Sequence, residues 1–195
     1  PIPLTWGGIF DKPRWKTALP GRGWSSPIVL GESVWVTAAV PSALSSQTLE
    51  KKLAENPYGT QNFQSHATVD LMLLQVELSS GKLQRKLLLA SISNPPLIHR
   101  LNSYASPTPA SDGSTIVCHF GSMGTFAVDT NSGHIRWQKR LAVDELTGPA
   151  SSPIVWQDRC FIACDGADEQ YLVALSLLDG SEIWRTNRPA IDVSD

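Results

Sequence analysis

The side chains best suited to chemistry in this sequence are three cysteines, four histidines and one acidic loop. A metal-assisted hydrolase needs ligands at short, regular spacing, yet His66, His99, His119 and His134 occur singly. No Gly-x-Ser-x-Gly elbow is present to expose a serine nucleophile. Cys118, Cys160 and Cys164 are an odd set. Cys160 and Cys164 would lie ~13 Å apart along one strand, beyond disulfide reach, so all three read as small core hydrophobes. The loop Asp165-Gly166-Ala167-Asp168-Glu169 lacks the spacing of an EF-hand and reads as a solvated turn. These residues assign no catalytic group, no metal and no cofactor.

One polar and aromatic set remains. Trp24 and Tyr104 each stand three residues before a proline, Pro27 and Pro107, with Arg22, Asn102 and Ser103 close by in sequence; Ala150 holds the same place before Pro153. Two aromatic rings beside a guanidinium and an amide could line a small polar pocket or a peptide-binding mouth. The other reading is that they fill a funnel and cap strand ends.

The elements that would position this set follow from an internal repeat. Ala105-Ser106-Pro107 opens one copy and Ser151-Ser152-Pro153 the next, with 46 residues between the prolines and 47 between Gly133 and Gly180. In both copies an alanine (Ala127, Ala174) lies six before the glycine and a tryptophan (Trp137, Trp184) four after it. That period suits one four-stranded blade of a β-propeller. Within the last copy, Ile154 to Trp156, Cys160 to Ala163, Tyr171 to Leu175 and Glu182 to Thr186 read as strands, with Asp179-Gly180 supplying a hairpin turn.

A stretched third copy opens at Ser25-Ser26-Pro27 and resumes from Leu71 to Val76 before Ser79-Ser80-Gly81. Its surplus, about Val40 to Thr68, reads as an insertion with a helix over about Leu44 to Glu55 that stops at Asn56-Pro57. This copy carries Gln75 at the alanine position and Arg85 at the tryptophan position, which predicts a weaker or wetter contact between blades.

The spacing therefore predicts an all-β chain, a partial propeller of four-stranded antiparallel blades: about three blades plus a lone outer strand. The lone strand falls within 1–20, the blades at 21–89 (interrupted at about 40–68), 103–141 and 148–188. A blade cannot bury both faces of its own sheet, so neighbours must stack, and Ala127, Gly133, Trp137, Ala174, Gly180 and Trp184 read as the residues that dock one blade on the next. The chain opens on what reads as an outer strand, Arg14 to Leu19, and closes at Asp192-Val193-Ser194-Asp195, where a further blade would begin. Uncovered ends predict self-association.

Charge and hydropathy narrow the partners. Sixteen basic against eighteen acidic residues give a net charge of -2 without like-charge runs, which does not suit nucleic acid. No apolar stretch reaches the roughly 20 residues of a membrane span.

The pattern Ala-x-Asp-x-x-Ser-Gly-x-x-x-Trp at Ala127 to Trp137, varied at Ala174 to Trp184, resembles the tryptophan-docking motif of PQQ-like propellers. Trp15 to Pro27 and Asn102 to Pro107 resemble a bacterial subgroup, found in planctomycete-type genomes, labelled BamB-like outer-membrane assembly proteins. The resemblance implies a noncatalytic scaffold that binds a protein or peptide, in the periplasm or cell envelope, and rings of about eight blades. It leaves two alternatives open: a carbohydrate or small-molecule binder or enzyme using the channel mouth, and a remnant of a PQQ-dependent dehydrogenase. Quinoprotein dehydrogenases of this resemblance use adjacent cysteines against the quinone and acidic and amide residues on calcium; no two cysteines are adjacent here.

Overall fold

The computed structural model describes residues 13–56 and 62–189. Pro57, expected to stop the inserted helix, and the segment from Asp192 to Asp195 lie outside the described residues. In the first blade, β1 (Ile28–Leu30) and β2 (Ser33–Pro41) lead through the helix α1 (Ser46–Ala54) and a short strand β3 (Phe63–Gln64) to β4 (Thr68–Glu77) and β5 (Leu83–Ser93). A two-residue strand β6 (Ile98–His99) pairs with β3. The second blade is β7 (Ala110–Ser111), β8 (Thr115–His119), β9 (Thr125–Asp129) and β10 (Ile135–Lys139). The third is β11 (Ile154–Trp156), β12 (Arg159–Asp165), β13 (Gln170–Ser176) and β14 (Glu182–Asn187). Each blade is a four-stranded antiparallel meander in sequence order.

The turns between the third and fourth strands share a glycine at positive φ, Gly81, Gly133 and Gly180, whose amide donates to the carbonyl four residues before it. Asp129 Oδ1 accepts the N–H groups of Asn131 and Ser132, and Asp179 Oδ1 accepts that of Ser181, so a carboxylate closes the bend that Gly133 and Gly180 complete at positive φ. These bonds to Ser132 and to Arg136 hold the Asp129 carboxyl well below the usual carboxylate range. Register then places Trp137 opposite Ala127 and Trp184 opposite Ala174 on the same sheet face, the small residue leaving room for the indole.

Stacking divides the core in two. Trp35, Leu71 and Leu73 of the first blade meet Ile116, Cys118, Phe126 and Val128 of the second. Val117, Ala127 and Trp137 on its other face meet Cys160, Ile162, Tyr171 and Val173 of the third. Being covered on both sides, β8 is buried at all five positions, whereas β12 alternates because only one of its faces has a neighbour among the described residues. His119 belongs to this core: its Nδ1 lies 2.8 Å from Thr125 Oγ1, and burial pulls its pKa down to about 4.

Arg14 to Leu19 forms no strand ladder with the described residues; instead Trp15 sets its ring against Gly81 and donates from Nε1 to Leu78 O at 2.9 Å. The inserted helix starts at the N-cap Ser45 and has no buried residue, so it stands off the sheet, tied by Lys52 Nζ to Pro95 O at 2.8 Å.

Candidate functional site

The segments that lead from one blade to the next, together with the insertion, are bonded into one continuous layer. The Trp24 and Ser25 amides both donate to Ala105 O at 3.1 Å. His99 N and Asn102 Nδ2 donate to Thr147 O at 3.3 and 2.9 Å, and Ala167 N reaches Asp144 O at 2.9 Å. Two hydroxyls repeat the linkage beside the inner strands: Ser26 N donates to Thr108 Oγ1 at 3.0 Å, and Thr108 N to Ser152 Oγ at 2.9 Å. The serines and threonine beside each proline therefore join neighbouring blades. The acidic loop does similar work, since Asp168 Oδ1 accepts the Asp144 and Glu169 amides.

Within this layer Arg22, Asn102, Ser103 and Tyr104 surround one cavity, joined by Gln64 and His66 of the insertion. Trp24 is not among them: it is 57% exposed, whereas Tyr104 is 4% exposed. The two aromatic residues share a sequence position but not a site, because the Arg22 backbone pairs with Ala39 in both directions at 2.8 Å and the chain then turns Trp24 outward. Gly21 is required there, as any Cβ would lie 2.3 Å from Ala39 O.

Tyr104 Oη donates to Pro96 O at 2.7 Å and stands 3.4 Å from His66 Nδ1, the two rings edge-on at 5.7 Å. Burial, then the charges of Arg22 and Lys52, lowers the His66 pKa; burial likewise raises the Tyr104 phenol. Ser65 Oγ is buried beside them without a hydrogen-bond partner among the described residues. The cavity measures about 30 Å³, room for a water molecule and not for a sugar ring. Its residues clasp the insertion onto the connecting segments. His66 was legible only as an isolated histidine, because its neighbours come from segments far away in sequence.

A second, half-buried polar group was not signalled by the sequence. Glu145 Oε2 accepts the Ser122 amide at 3.1 Å, and its carboxylate fills the space where a side chain on Gly121 would stand. Burial, opposed by the Ser122 bond and aided by Asp144, raises its pKa to about 7.

The family model described as outer membrane protein assembly factor BamB matches residues 11–191. The chain belongs to this family. No curated protein matches the chain. Among solved structures, this BamB-family chain is similar to a quinohemoprotein alcohol dehydrogenase from Pseudomonas putida, with 15% identity, a TM-score of 0.54, and 89% of this chain and 22% of that one covered. It is also similar to a europium-containing methanol dehydrogenase, with 13% identity, a TM-score of 0.50, and 85% and 25% covered. BamB from Moraxella catarrhalis aligns at 16% identity over 63% of this chain and 34% of its own, with a TM-score of 0.39. The chain thus spans between about a fifth and a third of the length of these structures.

One of these structures is a quinohemoprotein and another contains europium, and the residues present bear on whether such groups fit here. Cys118, Cys160 and Cys164 are buried singly between blades, and no three His, Cys, Asp or Glu side chains converge among the described residues. The adjacent cysteines that would stack on a quinone do not occur among the described residues. No described helix is long and apolar enough to cross a membrane.

Proposed function

We propose that this BamB-family chain is a noncatalytic scaffold that binds a protein or peptide on the layer of connecting segments. The observation that carries this reading is the exposure of large apolar side chains on that layer, Trp24, Leu101 (67%) and Leu146, on segments cross-bonded through Ala105 O and Thr147 O. Rigid backbone with exposed apolar anchors suits a protein partner, while a 30 Å³ cavity favours a surface contact over an enclosed small molecule. Peptides selected from a display library on this chain should lose binding in Leu101→Asp/Leu146→Asp and keep it in Leu178→Asp, which alters an exposed leucine of the third blade's hairpin turn. Selected peptides indifferent to the first pair would refute the assignment.

A second contact is supported by the outer face of the third blade. Ile154, Phe161 and Trp184 occupy there the positions that Ala110, Val117 and Trp137 occupy in the second blade, where the third blade covers them. Trp184 is half-buried against Phe161, at 5.9 Å between ring centroids. A second copy covering this face would explain its composition. Sedimentation should then show a concentration-dependent dimer that Trp184→Asp abolishes. A strictly monomeric chain at high concentration would remove this contact from the proposal.

A further inference from the structure

Between the first and second blades the repeat departs from its own rule, and the departure leaves a site. Elsewhere an indole closes the gap against the next hairpin: Trp15 meets Gly81, and Trp137 meets Gly180 while donating from Nε1 to Leu177 O at 2.8 Å. Here Arg85 takes the tryptophan position and Gln75 the alanine position, paired in register. Arg85 Nη2 and Nη1 donate to Thr130 O at 2.6 Å and Asn131 O at 3.0 Å, and Nε donates to Gln75 Oε1. The side chain thus mimics the docking bond. It does not fill the volume of an indole.

A cleft of about 430 Å³ remains, lined by Ser33, Trp35, Gln75, Arg85, Thr130 and Asn131 among others. The guanidinium carbon lies 5.1 Å from the centroid of Trp35, and Gln75 Nε2 donates to Ser33 Oγ at 2.7 Å. Gly31 and Gly113 at the rim have no atom within 4 Å of a would-be Cβ, so the mouth is open.

Every protein acceptor bonded to Arg85 is neutral. Arg136, Arg159, Arg185 and Arg188 each reach a carboxylate within 4.0 Å, and Arg85 has no such ion pair among the described residues. Its three bonds leave one N–H on each terminal nitrogen. Stacking and the two carbonyls already restrict its rotamers, so a ligand meets a prepositioned cation and the ordering cost of binding is small. A carboxylate is the anion whose planar pair of oxygens suits this donor.

We propose that this interblade cleft binds a carboxylate, with Arg85 as its charge partner, Gln75 and Ser33 as neutral partners and Trp35 as the floor. The carboxylate belongs either to a small organic acid or to an acidic side chain of a peptide. The two sources separate in one experiment. The isotope-labelled chain is titrated with N-acetylglycine and, separately, with a capped Ala-Glu-Ala peptide and its glutamine counterpart, following the amides of Gly31, Gly113, Thr130 and Asn131. Saturable shifts at these amides are expected with at least one acidic probe, weakened by salt and absent with the glutamine peptide. The responding probe identifies the source.

Gln75→Ala with Arg85→Trp restores the pair used by the other two blades, so this variant should fold with an unchanged or higher Tm and bind roughly tenfold more weakly or worse, as expected on loss of a charge-assisted bond. Arg85→Lys, which keeps the charge and not the fork, should bind severalfold more weakly. Undiminished binding by the double variant, or no saturable shift at these amides with either acidic probe, would overturn the site.

Discussion

Trp137→Ala should destabilise the chain by about 3–5 kcal/mol, the usual cost of truncating a buried tryptophan, while Trp24→Ala should stay within about 0.5 kcal/mol, as for an exposed side chain. Trp137 is 7% exposed, packs with Cys160, Ile162 and Tyr171 of the neighbouring blade, and donates to Leu177 O. Its removal opens a void between two blades and strands a carbonyl. The ring also lies within 2.7 Å of where a Cβ on Gly180 would stand, so that residue has no side chain to refill the gap. Trp137→Phe, which keeps most of the volume and loses the N–H, should fall between wild type and alanine. Chemical denaturation of the four proteins measures the differences. Equal losses at positions 137 and 24 would contradict the burial on which the blade stacking rests.

The second large effect depends on pH. Folding raises the Glu145 pKa from 4.5 to about 7, so between those values the folded chain keeps a proton that the unfolded chain has released. Stability from this group is therefore full below pH 4.5 and is lost as the pH climbs through 7. The shift corresponds to a loss on the order of 1–3 kcal/mol once screening is allowed for. His119 acts in the opposite sense: its pKa falls from 6.5 to about 4, so its contribution is lost as pH drops through that window. The two slopes offset each other between about pH 4.5 and 6.5 and separate above it.

Glu145→Gln removes the charge and retains an acceptor for the Ser122 amide. It should stabilise the chain by about 1–3 kcal/mol at pH 8 and make little difference at pH 4.5. Thermal melts across that range test the sign directly. A glutamine variant that is less stable than wild type at pH 8 would show that the Glu145 carboxylate is held by favourable charge interactions and not merely buried.

Repeat spacing carried the fold because its physical demands are local and periodic. Asp129 and Asp179 each close a turn within four residues, Gly133 and Gly180 supply positive φ, and an alanine must face a tryptophan across one rung of the ladder. The glycine, alanine and tryptophan recur at one fixed distance along the chain, so they could be read without coordinates. The inserted helix was legible for the same reason, from its Ser45 cap and its run of helix formers.

The site was legible only in part. Arg22, Asn102, Ser103 and Tyr104 do gather, but His66 joins them from the insertion between β2 and β4 of the first blade, and Trp24 leaves them because a pairing of Arg22 with Ala39 turns it away. Which face of a strand is covered was likewise undecidable from its own residues: β8 and β12 are similar apolar runs, yet one is buried throughout and the other on alternate positions, since only the former lies between two blades. Arg85 shows the limit most clearly. Repeat spacing alone puts a cation where an indole is called for. Packing between the sheets makes this cation bond to two carbonyls of the next blade, meet no carboxylate among the described residues, and leave an open cleft over Trp35. The volume of a missing ring and the charge balance around its replacement depend on side chains from both sheets at once, and no spacing within one of them encodes that sum.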